Sequence, residues 1–302
     1  MKMMNPVYKR ENMVSSRSFK LAMILLIFNG ILALVALLNM YSTLAQVRVT
    51  AEIQYSSFLD LYVFVAVLEF VMLIVIMPAL TAGSISGERE RQTLDLMLTT
   101  DMTPAEIVVG KLMSSLSTML LLIISSFPII ALVFVYGGVT LKDIGMLLMC
   151  YVAAAVFIGS LGTCCSALFR KTTVSTVVSY GLMVAVVIGT FGLNQFAYSL
   201  SQMHADSYLA AVGQTAEQGS SGGLIYLLLM NPTSTFLVTI MQLAGSSLVR
   251  LNGDAMSWFG NHRLNLINSN WVSASIGVQL FLAAVFVAVA IRAVKPGRRH
   301  IV

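Results

Sequence analysis

Long apolar runs alternate with short polar stretches along the chain, and the polar stretches hold most of its charge. Runs at residues 19–40, 58–82, 105–136, 141–169, 174–197 and 272–294 predict six membrane helices, because roughly 20 apolar residues cross the hydrocarbon core of a bilayer. The third run predicts a helix of about 48 Å, long enough to project beyond the hydrocarbon on the cytoplasmic side. Pro128 is expected to kink it, with Ser125 helping to satisfy the backbone groups that the kink frees. Gly159 and Gly162 predict close helix packing in the fourth run, and Gly137-Gly138 predicts the tight turn before it. Residues 1–18 are polar and basic. Asn5 and Pro6 read there as the N-cap and first residue of a short helix lying along the interface. The run that follows is longer than a signal peptide's apolar region, and Thr43-Leu44-Ala45 makes a poor cleavage site, so a membrane helix is expected. Residues 199–223 end in a Gly/Ser-rich tract and predict a mobile loop. Residues 224–248 are apolar but broken at Asn231-Pro232. They read as re-entrant or interfacial helices packed beneath the last span, with Trp258 and Trp271 as interface anchors. The expected fold is an all-α polytopic membrane protein, a single transmembrane domain over residues 1–302.

The stretch at residues 82–111 stands out. It lies between two apolar runs yet carries five acidic and three basic residues. Ser86 is placed to cap a helix whose first turn holds Glu88 and Glu90, which suits the positive N-terminal end of a helix. Leu94, Met97 and Leu98 fall on one face at i, i+3 and i+4. Thr103-Pro104-Ala105-Glu106 then restarts a helix with the residues of a capping box and a proline at its first position. The pattern predicts an amphipathic helix on the membrane surface, a sharp turn and a membrane helix, a segment on which a soluble partner can push.

Composition agrees with this picture. Of the 302 residues, 58% are hydrophobic and 10% charged, against about 45–50% and 25% in soluble domains. The net charge of +5 has a topological explanation. With both termini and six spans arranged inside-to-inside, fourteen basic residues face the cytoplasm and four (Arg48, Lys142, Arg250 and Arg263) face outward, as expected of a membrane protein. No dense basic patch with interleaved aromatics is present, which argues against a nucleic-acid partner. Cys150, Cys164 and Cys165 share one apolar run and make neither a zinc spacing nor a disulfide framework. His204, His262 and His300 are scattered.

No catalytic machinery is recognisable. Gly110-Lys111 is followed by Leu112, and the first glycine of a P-loop would stand where Ala105 is. There is neither an HExxH nor a GxSxG, so another subunit is expected to supply the energy for any work. Glu69 is the one carboxyl group deep in a predicted span, where a charge costs about 2.5–3.5 kcal/mol. It reads as a polar point on a substrate or proton path, as a group hydrogen-bonded to a neighbouring helix, or as one lying nearer the outer surface than its place in the run suggests. Glu88-Arg89-Glu90-Arg91 reads either as a partner-facing charge pattern or as a solvated face.

The sequence resembles the ABC-2 type transporter permeases, the membrane subunits of ATP-binding-cassette exporters. Asn5-Pro6-Val7 followed by Lys9-Arg10-Glu11 is similar to the family's opening motif on an elbow helix, here residues 1–18. Residues 87–100, GERERQTLDLMLTT, resemble the family's charged coupling stretch, with Gln92 where a glycine is usual and Met97 where a leucine is usual. Lys111 matches the lysine that opens the third span, and Asn231-Pro232 matches a break before the last. The resemblance implies a non-catalytic permease subunit in the plasma membrane, with both termini cytoplasmic. It would pair with a second permease subunit, identical or related, and with cytoplasmic ABC ATPase subunits. ATP and magnesium would belong to the ATPase, with no cofactor in this chain. Residues 87–101 would be the coupling helix, with Gly87, Glu88, Arg89, Glu90, Arg91, Thr93, Leu94, Met97 and Leu98 contacting the ATPase and Glu69 a candidate pathway residue. Two other readings are an ion-driven carrier working alone through Glu69 and a membrane scaffold or immunity protein.

Overall fold

The computed structural model describes residues 6–16, 18–50, 56–99, 102–128, 140–212, 220–244 and 270–295, and these contain helices and no strands. Six helical stretches among them are long and apolar enough to cross a membrane. In chain order the α-helices are α1 (Pro6–Ser16), α2 (Phe19–Thr50), α3 (Ser56–Thr81), α4 (Ser86–Glu90), α5 (Thr93–Leu98), α6 (Pro104–Ser125), α7 (Leu141–Leu168), α8 (Thr172–Val184), α9 (Thr190–Val212), α10 (Pro232–Ala244) and α11 (Trp271–Val294). A π-helical turn, Ala185–Gly189, joins α8 to α9, and a 3₁₀ helix, Gly222–Met230, precedes α10.

Helix α7 is the axis of the bundle. It packs against α3, α6, α8, α10 and α11, and its second half is buried almost all round, the pattern of a helix apolar on every face. Small residues permit this crowding, because helices in lipid associate through close backbone approach. A Cβ on Gly159 would lie 2.3 Å from Cε of Met77, and one on Gly162 would lie 2.1 Å from Oγ1 of Thr81. Near the middle of the bundle the Phe70 and Phe236 rings stack with centroids 4.2 Å apart. Thr140 and Asp143 form a capping box that opens α7.

Several boundaries differ from the sequence reading. Helix α2 runs ten residues past position 40, to Thr50, and helix continues through residues 199–212, where a loop was expected. Polar residues that face water at the end of a span prolong a helix as well as they end one. The regular α-helix of the third span ends at Ser125; Ser126 makes a turn, and Phe127 and Pro128 are helical again, so the helix is interrupted just before the proline. A proline is a common cause of such a break. Ser125 does satisfy local backbone: its hydroxyl donates to the Leu122 carbonyl at 2.6 Å and accepts from the Asn29 amide at 2.9 Å. Trp271 is not an interface anchor. It is fully buried against Ile225, Leu228 and Val238. The expectations at Asn5, Gly137-Gly138, residues 129–136 and 245–248, and Trp258 lie outside the described residues.

The 3₁₀ helix and α10 are bent by 96° at Asn231. Buried side chains tie down the non-helical backbone. The Asn231 amide donates to the Val187 carbonyl (3.0 Å) and to Thr190 (2.8 Å), Gln279 of α11 donates to Thr235 (2.7 Å), and Ser275 donates to the Leu229 carbonyl (2.8 Å). Irregular backbone at membrane depth needs such internal partners.

Candidate functional site

The connection between α3 and α6 is two short helices, not one. They meet at Gln92, whose φ of 58° is left-handed. That conformation is strained for a side chain with a Cβ and natural for glycine, the residue that the resemblance led one to expect at this position. Ser86 does not cap α4. It is the first helical residue, its hydroxyl donating to the Ala82 carbonyl at 3.2 Å. The acceptor for the free amides comes instead from α7: Ser166 Oγ receives the N–H groups of Ile85 (2.8 Å) and Ser86 (2.9 Å). Ser175 of α8 holds the preceding turn by donating to the Ala82 carbonyl at 2.6 Å.

The four alternating charges have four addresses, because helical residues step round the axis by about 100° each. Glu88 binds Lys111 of α6 at 3.1 Å and also accepts from Thr93. Arg89 donates to the Ala167 carbonyl at the C-terminal end of α7, 3.1 Å away. Glu90 accepts from the backbone N–H and the hydroxyl of Thr172, both at 2.9 Å, at the N-terminal end of α8. Each sign suits the helix end that it meets. Arg91 is exposed.

Lys111 is only 3% exposed and is shared by two carboxylates, Glu88 and, at 2.8 Å, Glu11 of α1. Three stretches far apart in sequence thus converge on one ammonium group and fasten α1, α4 and α6 together. A buried lysine in an apolar helix needs such partners. That requirement was the available sequence signal; it did not say which carboxylates would come. The capping box at Thr103 and Glu106 is present, Thr103 Oγ1 accepting from the Glu106 N–H at 3.2 Å, and it fixes the entry to α6.

The segment therefore has an inner and an outer side. Leu94 is buried, with Met97 and Leu98 packed beside it on a small apolar cluster that includes Ile107, Val108 and Ala290. Gly87, Glu88, Arg89 and Thr93 are half-buried and face other parts of the chain. The outer side is Glu90, Arg91, Gln92, Asp95, Leu96 and Thr99. Leu96, at 67% exposure, is its large apolar residue and is the outward residue that the sequence reading passed over. Thr100 and Asp101 lie outside the described residues.

Glu69 is apart from this segment, inside span α3 and 2% exposed. Neither carboxyl oxygen has a hydrogen-bond partner among the described residues. The hydroxyls of Ser126 and Tyr151 lie beside it, but each donates to a backbone carbonyl, of Ile123 and Ala66 respectively, at 2.7 Å. Glu69 thus faces the packed interior of this chain's own bundle.

Six apolar helical stretches, one of them the buried axis of the bundle, with a charged connection braced at one end, define a multi-pass membrane protein. The chain belongs to the ABC-2 family transporter proteins, whose family model matches residues 21–292, so it is a membrane permease component of an ABC transporter. No curated protein matches it.

Proposed function

We propose that this chain is a non-catalytic permease subunit of an ATP-driven exporter in the plasma membrane, with both termini cytoplasmic. It works beside a second permease subunit, identical or related, and ATP and magnesium are bound by cytoplasmic ATPase subunits. The outer side of α4 and α5 is the ATPase contact. The observation that carries this reading is the outward Leu96 on a rigidly braced segment, flanked by Gln92 and Asp95. A large apolar residue rimmed by polar ones suits a protein contact, and it stands on a strap bonded to α6, α7 and α8 and, through Lys111, linked to α1. A push on Leu96 would reach α6 and α1 through Glu88 and Lys111, and α7 and α8 through Arg89 and Glu90. Movement of the ATPases would then pass into several spans together and open a path between the two permease subunits.

This reading changes how the segment is best tested. Replacing Glu88 or Glu90 with lysine attacks internal bracing as well as any contact. Leu96→Asp leaves the bracing alone. Co-expression of the complex should give this variant in undiminished amount in the membrane, with little or no ATPase subunit co-purifying and no transport. Retention of the ATPase at the normal ratio would refute the assignment.

A further inference from the structure

A cleft of about 470 Å³ opens between α1, α2, α3, α4 and α6. One side of it is charged: Arg10 and Glu11 of α1, and Glu88 of α4 with the adjoining Arg91. The other is aliphatic and is contributed by three spans, with Leu21 and Ile24 of α2, Ile76 and Leu80 of α3, and Leu121 of α6. Helices α2 and α3 each give a pair of residues about one helical turn apart, so the apolar wall has depth along these spans.

The charges do not cancel. Lys111 pairs with both carboxylates at the edge of the cleft, while neither Arg10 nor Arg91 has an ion pair among the described residues. Because Lys111, buried behind the lining, already neutralises one of the two carboxylates, the cations Arg10, Arg91 and Lys111 against Glu11 and Glu88 leave one net positive charge at the cleft. We propose that this cleft binds an anionic phospholipid from the leaflet on the α1 side of the membrane. Arg10 and Arg91 receive the phosphodiester and one acyl chain lies along Ile24, Ile76, Leu80 and Leu121. Arginine suits phosphate because its planar fork donates paired hydrogen bonds. A headgroup with a single net negative charge neutralises the opening, which a zwitterionic headgroup does not. A free phosphate would leave the aliphatic wall unused. The bound lipid joins α1 to α4 from the membrane side, beside the bridge that Lys111 makes from within the protein.

Native mass spectrometry of the full-length chain tests this, in mild detergent doped with equal amounts of phosphatidylglycerol and phosphatidylcholine carrying the same acyl chains. The wild-type protein should retain phosphatidylglycerol preferentially. Arg10→Gln and Arg91→Gln should each lower that retention by about fivefold, whereas Lys9→Gln, an exposed neighbour on α1 that does not line the cleft, should leave it unchanged. Leu121→Trp keeps both arginines and fills the apolar side, so it too should expel the lipid. Equal retention of the two lipids overturns the proposal. So does an equal loss from Lys9→Gln, which would mean general surface charge, or undiminished binding in Leu121→Trp, which would mean adsorption of headgroups outside the cleft. The measurement needs no ATPase and stands independently of the docking assignment.

Discussion

Arg89 and Glu90 are neighbours in the chain that close two different helices: Arg89 bonds the carbonyl of Ala167 at the end of α7, and Glu90 bonds the amide of Thr172 at the start of α8. The short α7–α8 connection is thus gripped from both sides by one dipeptide of α4. A connection held in this way follows any displacement of α4, whereas a merely solvated charge pattern would transmit nothing.

The first prediction concerns that grip. Glu90→Ala removes the acceptor for the Thr172 N–H, and amide hydrogen exchange in the peptide around residues 170–175 should accelerate. Arg91→Ala, at an exposed position without such a bond, should leave exchange there as it was. Equal protection in both variants would show that Glu90 does not hold the end of α8.

The shared lysine predicts non-additivity. Glu11→Gln or Glu88→Gln alone leaves Lys111 one carboxylate, and the remaining partners are partly exposed at 36% and 23%, so each should cost less than about 1 kcal/mol. The double variant leaves a cation that is 3% exposed without a counter-charge. It should cost about 3 kcal/mol or more, read as a thermal shift in detergent clearly larger than the two single shifts together. Simple additivity would mean that the three residues do not act as one junction.

The glycines of α7 should not tolerate change equally. At Gly159 the nearest obstacle to a Cβ is the flexible end of Met77, while at Gly162 it is Thr81, a β-branched side chain whose hydroxyl is already bonded to the Met77 carbonyl at 2.8 Å. Gly162→Ala should therefore lower stability by about 1–3 kcal/mol, and Gly159→Ala by distinctly less. Adding Thr81→Ala to Gly162→Ala should recover part of the loss. If the two single variants melt alike, α3 does not press on α7 where the structure has it.

At Gln92 the expected change is a gain. Its left-handed φ costs an L-residue about 1–2 kcal/mol, of which glycine gives part back through its own greater chain entropy. Gln92→Gly should raise the melting temperature slightly, and Gln92→Val should lower it. A fall with glycine would show that the turn between α4 and α5 is not left-handed in the membrane.

The sequence by itself determined the membrane class, the apolar spans, the break at Asn231-Pro232, the capping box at Thr103 and Glu106 and the placing of Leu94, Met97 and Leu98 on one helix face. All of these follow from composition, periodicity or contacts between residues a few positions apart. Only the tertiary structure decided that this face is turned into the chain, where an ATPase contact was expected of these three residues, that Lys111 draws Glu11 and Glu88 together, that Ser166 supplies the acceptor expected of Ser86, that Trp271 is buried and that Leu96 is left facing outward. Those outcomes depend on which helices adjoin α7. In a chain apolar on nearly every helical face, hydrophobicity tells which segments enter the membrane but not which of their sides meet. Close approach at Gly159 and Gly162, and the need of each buried polar group for a partner, make that choice in three dimensions.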